Sequence, residues 1–178
     1  LKKISFYQGS TDNVLERFYK AVLMEEPDYV VRVTSDCPLI DPFLVSEVIK
    51  FTVKGNLDYG TNILEEMFPD GQDIEVFKFS TLETAWSKAE LLSEREHVTL
   101  FIRNNSDING GDIFTAINYN CEEDYSKIRM TAYQYCSCLI VHSLDFQNCS
   151  FKFILVISEF VQLFFIKKTK ESSTKLHK

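Results

Sequence analysis

The chain has few of the residues that punctuate a fold. Its 178 residues include six glycines and four prolines; every proline lies at or before Pro69, and the last glycine is Gly111. The stretch 112–178 has neither, although an ordinary domain keeps using both for turns. The last third therefore departs from the rest, and it is also the basic part: from Ser150 onward six lysines stand against two glutamates. Positive charge is scarce overall. The net charge of −7 excludes a general nucleic-acid-binding surface. Cysteines are few and poorly spaced for a framework. Cys37, Cys121, Cys136, Cys138 and Cys149 are odd in number and form no C-x-x-C pair. That argues against disulfides and zinc, and fits a reducing, cytoplasmic setting. No G-x-G-x-x-G, P-loop, G-x-S-x-G or H-E-x-x-H run occurs. Dinucleotide, P-loop, serine-hydrolase and metalloprotease readings therefore lack support. The apolar stretch FKFILVISEFVQLFFI is short and interrupted by Glu159, so no membrane span is expected. Three readings stay open for it: a buried helix, an edge strand or an adventitious tail. No signal peptide precedes the first segment, and the chain opens on Leu1 rather than Met. It reads as a fragment, a processed chain or an incomplete gene model.

What remains is ordinary for a globular domain: 45% apolar and 25% charged residues. In TDNVLERFYKAVLMEEP, Val14, Phe18 and Val22 repeat at four-residue spacing, which predicts a helix capped by Thr11 or Asp12 and ended by Pro27. YVVRVT predicts a strand covered on both faces. Asp41-Pro42 predicts an N-cap and first helical residue, with Gly55 closing that helix. LDYGTNI, QDIEVFKF and IFTAINYN predict strands, with FPDG a turn. Ser80–Glu83 and Ser93–Glu96 predict capping boxes. The alternation implies an α/β class with a mostly parallel sheet.

In such sheets ligands bind beyond the carboxyl ends of strands. TSDCPLIDP follows YVVRVT at such an end, which makes Asp36 a candidate. On spacing alone it is either a turn carboxylate or a hard oxygen ligand for Mg²⁺ beside a phosphate. Cys37 reads as a packing residue. In PDGQDIEVF, Asp73 and Glu75 face one way, as the solvated face of an edge strand or as a site wall. In SEREHVT, Glu94 and His97 share a helical face while Arg95 and Glu96 diverge. These residues make either a solvated first turn or a polar pocket wall.

Together GSTDNVLERFYKA, VVRVTSDCPLIDP, FPDGQDIEVFKFSTLETAWSKA and SEREHVTLFI, in this order, resemble the cytidylyltransferases of the spore-coat polysaccharide type. These are relatives of the acylneuraminate enzymes. The resemblance covers roughly Phe6 to Thr131. It implies a nucleotide-diphospho-sugar transferase-like fold, with CTP and a sugar as substrates and Mg²⁺ as cofactor. Carried over by position, Asp36 would hold the metal, and Asp73, Glu75, Arg95, Glu96 and His97 would line the substrate side. No catalytic residue is assigned, and an oligomer is compatible with the family. Two departures count. The family's N-terminal strand and nucleotide-embracing loop have no counterpart after Leu1. Tyr133 also stands where the family has a second metal-binding aspartate. Expected, then, is a partial cytidylyltransferase-like domain over 1–131 and a divergent, adventitious tail over 132–178. The implied function is sugar activation for surface polysaccharide synthesis, impaired in this chain. The alternative is a non-catalytic remnant or a sugar- or partner-binding module.

Overall fold

The run Tyr-Val-Val-Arg-Val-Thr has β-branched residues on both of its faces, so it needs cover on both. The computed structural model, which describes residues 5–131, 151–158 and 161–168, supplies that cover with helices on either side of a sheet. In chain order the elements are β1 (Ser5–Phe6), α1 (Val14–Leu23), β2 (Tyr29–Thr34), α2 (Pro42–Lys54), β3 (Tyr59–Thr61) and β4 (Glu75–Lys78). Then come α3 (Phe79–Lys88), α4 (Leu92–Glu96), α5 (Leu100–Asn104), β5 (Ala116–Asn118), β6 (Phe151–Ser158) and β7 (Val161–Lys168). The seven strands are ordered β1-β6-β7-β2-β4-β3-β5.

The α/β class holds, and the mostly parallel sheet needs correction. Five strands run one way, but β4 and β7 run against them. As a result only β1–β6 and β3–β5 pair in parallel, while β2–β4, β2–β7, β3–β4 and β6–β7 are antiparallel. The cause is connectivity. A parallel neighbour needs a crossover, usually a helix. Residues 62–74 contain no helix, and only two residues separate β6 from β7. Each of these links therefore returns the chain antiparallel. The stretch left open as helix, strand or tail forms these last two strands, which lie in the same sheet as β2.

On one face, α1, α3 and α5 bury Leu15, Phe18, Val22, Leu82, Ala85 and Ile102 against Val30, Tyr59 and Phe77. Each such large side chain is worth about 1.5–3 kcal/mol when fully buried. On the other face, Val45, Val48 and Ile49 of α2 meet Tyr29, Val31, Val33 and Val76. Gly60 lets α2 sit this close to β3: a Cβ there would lie 1.9 Å from Thr52 Oγ1.

Helix starts differ from the sequence reading in detail. Asp41 caps α2 as expected: its carboxylate accepts from Phe43 N–H at 2.8 Å, and Pro42 follows. The cap of α1 is Asn13, one or two residues later than expected, accepting from Glu16 N–H at 3.1 Å. Ser80 lies inside α3, whose cap position is Lys78 and carries no side-chain cap. Ser93 likewise lies inside α4, and Glu94 instead accepts from the N–H groups of Glu90 and Leu91 at 3.3 Å. Both shifts have one origin: the helix begins before the serine, so its hydroxyl is no longer at the orphan donors it was expected to satisfy. Among the described residues, no helix is long and apolar enough to cross a membrane.

Candidate active site

The strands β2, β3 and β5 end, and β4 begins, at one end of the sheet. That places TSDCPLIDP, Asn62, the PDGQD turn and Asn118 together. Asp36 lies exposed in the turn after β2. Cys37 beside it is buried, with Sγ 3.0 Å from Thr34 Oγ1. Burial pushes its thiol up to about 11, with the Asp36 and Asp73 carboxylates adding to the shift. A thiol so disfavoured as thiolate is no nucleophile at neutral pH.

Asp73 is half-buried at the entrance to β4. Burial pushes its carboxyl up to about 6, helped by the neighbouring Asp70, Glu75 and Asp36 carboxylates. An acid raised in the fold stabilises it fully below its unfolded value near 3.9, and that contribution is lost as pH rises through about 6. Asp73→Asn should therefore raise folding stability at pH 7.5 by about 1–2 kcal/mol, after discounting for partial exposure, and change it little at pH 4. Urea melts at the two pH values check this. An equal gain at both would remove the carboxyl's repulsion as the cause.

Glu75 does not sit on a solvated edge. β4 is an internal strand, and Glu75 is 1% exposed on the face covered by α5 and the turn before it. Arg32 lies opposite it in the β2–β4 register and forms an ion pair through Nη1 and Oε2. Tyr59 Oη donates to Oε1 at 2.6 Å, and the Thr99 hydroxyl also reaches the carboxylate. Burial alone would raise the carboxyl, but Arg32 and these hydroxyls outweigh it and hold it below the usual range. Glu75 thus anchors the helical link between α4 and α5 to the sheet. Arg95 and Glu96 end α4, and His97 follows; Arg95 is half-buried, and Glu96 and His97 are exposed. All three are tethered two to four residues from Thr99. The structure brings Asp36 and Asp73 to one strand-end cluster. It puts Glu75 beneath the cluster, Arg95 and Glu96 at the end of α4, and His97 in the link to α5.

Residues that the sequence reading passed over hold this end together. The amide of Gln72 accepts from Asp41 N–H and donates to Leu39 O, both at 2.8 Å. Asn62 donates to Gln72 O at 2.7 Å and accepts from Ile74 N–H at 2.8 Å. Arg32 could have been found: a lone charge inside an apolar strand needs a buried partner. The two amides carried no such signal. Segment 128–130 docks on the PDGQD turn, with Asp70 N–H donating to Ile128 O at 2.9 Å and Met130 N–H to Asp70 O at 2.7 Å. Tyr133 lies outside the described residues.

A family model described as cytidylyltransferase matches residues 2–170. The chain is 36% identical over 107 residues to an uncharacterised protein of Methanocaldococcus jannaschii, covering 59% of the chain and 42% of that protein. It is 36% identical over 100 residues to the spore coat polysaccharide biosynthesis protein SpsF of Bacillus subtilis, covering 55% of the chain and 40% of that protein. A solved cytidylyltransferase from Leptospira borgpetersenii is similar with a TM-score of 0.63 and 32% identity, over 70% of this chain and 51% of that one. The chain thus spans about two fifths of the length of these curated relatives.

Proposed function

This chain belongs to the cytidylyltransferase family, and we propose that the acidic end of its sheet binds CTP with Mg²⁺ and receives a sugar whose hydroxyl attacks the α-phosphate. Family membership and the likeness to SpsF support nucleotide transfer as the reaction class. The observation that carries the finer reading is the joining of two motifs distant in sequence. Asp36, exposed after β2, and Asp73, before β4, lie near enough for the one carboxylate to raise the other.

The donor set fits a hydrated cation shared with a nucleotide. Among the described residues, no group of three His, Cys, Asp or Glu side chains converges as a closed metal cage would require. Mg²⁺ is commonly held by one or two carboxylates plus phosphates and water. Asp36 would hold it, and when bound it neutralises charge on the phosphates. Asp73, Arg95, Glu96 and His97 take the sugar side, the last two exposed and free to reach a hydroxyl or carboxylate. Glu75 has its oxygens engaged by Arg32, Tyr59 and Thr99, so it acts by fixing the link that carries His97.

Tyr133 weighs on turnover. By the family resemblance it stands where a second metal-binding aspartate is expected, and a tyrosine is a poor Mg²⁺ ligand at neutral pH. A weakly held cation predicts slow transfer, because this chemistry rests on positioning and charge neutralisation. We expect calorimetry to detect CTP binding in the presence of Mg²⁺, and Asp36→Ala to weaken it about tenfold or more. Pyrophosphate release with acidic sugars should stay near background for the chain and rise in Tyr133→Asp. Unchanged CTP affinity in Asp36→Ala would sink the metal assignment. Rapid turnover by the unaltered chain would sink the impairment.

A further inference from the structure

We infer that the buried amides of Asn62 and Gln72 are positioning residues that set the spacing between Asp36, which would hold a divalent cation, and the substrate-side Asp73, an inference that rests on the metal reading above. The backbone around Asp73 has no ladder partner. The β2–β4 register ends at the pair Arg32–Glu75, and the β3–β4 register at Thr61–Glu75. Beyond that point one backbone bond remains, from Asn62 N–H to Ile74 O at 3.4 Å, and the side chain of Asn62 takes the place of a further strand, gripping Gln72 O and Ile74 N–H, one on each side of Asp73. Among the described residues, the loop carrying Asp36 also lacks a strand neighbour. Two hydrogen bonds tie it to Gln72, whose amide accepts from Asp41 N–H and donates to Leu39 O. The dependence therefore runs from β3 through Asn62 to the backbone of Asp73, and from Gln72 to the Asp36 loop. Asn62 is 2% exposed and Gln72 5%, so water cannot stand in for either amide. Neither side chain faces a ligand. Both act through the two aspartates.

An amide of this kind is tested by replacing it with a side chain of the same shape that cannot form these bonds. Gln72→Met is uncharged and nearly isosteric. Gln72→Glu keeps the acceptor for Asp41 N–H, loses the donor to Leu39 O and adds a negative charge. Asn62→Asp keeps the acceptor for Ile74 N–H, loses the donor to Gln72 O and likewise adds a negative charge. The probe is Mn²⁺, followed by electron paramagnetic resonance of the free ion and by broadening of backbone amide resonances. In the unaltered chain Mn²⁺ should broaden the amides around Asp36 and Asp73 together. Gln72→Met should bind Mn²⁺ about tenfold more weakly and lose the broadening around Asp36 first. Gln72→Glu should also bind more weakly despite its extra charge, an outcome that electrostatics alone would reverse. If Gln72→Met fails to fold, Gln72→Glu and Asn62→Asp decide the matter. Affinity and a broadening pattern unchanged in all folded variants would overturn the positioning role and leave the metal reading intact. No Mn²⁺ binding by the unaltered chain, with Asp36→Ala indistinguishable from it, would overturn both.

Discussion

Arg32→Leu is expected to lower folding stability by about 3–5 kcal/mol, the usual loss when one partner of a buried ion pair is removed. The reason lies with the partner left behind. Glu75 is 1% exposed, and among the described residues Arg32 is the cation that forms an ion pair with it. Without Arg32, the carboxylate keeps the hydroxyls of Tyr59 and Thr99 but no opposing charge, and burial then drives its carboxyl upward. The sign of the pH dependence should invert. In the unaltered chain Glu75 is held low, so its contribution is present above the ordinary glutamate range and lost as pH falls through its folded value. In Arg32→Leu, stability should improve on acidification toward that range. For a domain of this size the loss corresponds to a fall in melting temperature of roughly 10 °C. The double variant Arg32→Leu/Glu75→Leu should recover part of it, because it removes the unpaired charge and leaves only the hydroxyls of Tyr59 and Thr99 without the acceptor they had. Denaturant melts of the three variants at pH 5 and 8 give the answer. A double variant as unstable as the single one would show that the pair does more than neutralise itself.

Gly60→Ala should cost about 3 kcal/mol, at the upper end for overpacking a core. A methyl placed there meets Thr52 at three atoms, with Oγ1 at 1.9 Å, Cβ at 2.9 Å and Cγ2 at 3.0 Å. Thr52 cannot swing aside freely, since it is fully buried and its hydroxyl donates to Val48 O at 2.8 Å. The helix α2 must lift from β3, opening contacts along Val45, Val48 and Ile49. Adding Thr52→Ala to Gly60→Ala removes two of the three clashing atoms and should restore about half of the loss. The measurement is the same denaturant melt. A Gly60→Ala chain as stable as the original would mean that α2 is not held at the distance seen.

The elements that the sequence revealed best are those whose local chemistry agrees with their place in the fold. The run YVVRVT is branched on both faces because helices cover both. Asp41-Pro42 starts α2 because the cap and the fixed φ of proline act within two residues. The α1 helix was equally plain from its spacing, but its cap lay at Asn13, because several polar residues in GSTDN can cap and only the packing of Leu15 and Phe18 selects one. Strand direction was hidden for a different reason. Whether β4 returns beside β3 depends on residues 62–74 forming no helix and on Asn62 clamping the return, a long-range fact without a periodic trace. The site was legible to the same degree. Asp36 and Asp73 lie in motifs with recognisable chemistry. The burial of Glu75 was hidden because its partner, Arg32, lies 43 residues earlier, and the pairing becomes visible only once the strand register is known.

The antiparallel union of β2 with β7 has a consequence for how the chain is made. β2 pairs with β7 along all six of its residues, yet Val161 follows Thr34 by more than a hundred residues. At roughly 5–20 residues per second of synthesis, β2 emerges on the order of ten seconds before its neighbour exists. During that interval one side of the strand is an open template for any other extended chain. Capture of nascent chains by holding chaperones should therefore begin once β2 clears the ribosome and end only after β7 does, a window that ribosome profiling of chaperone-bound chains would map codon by codon.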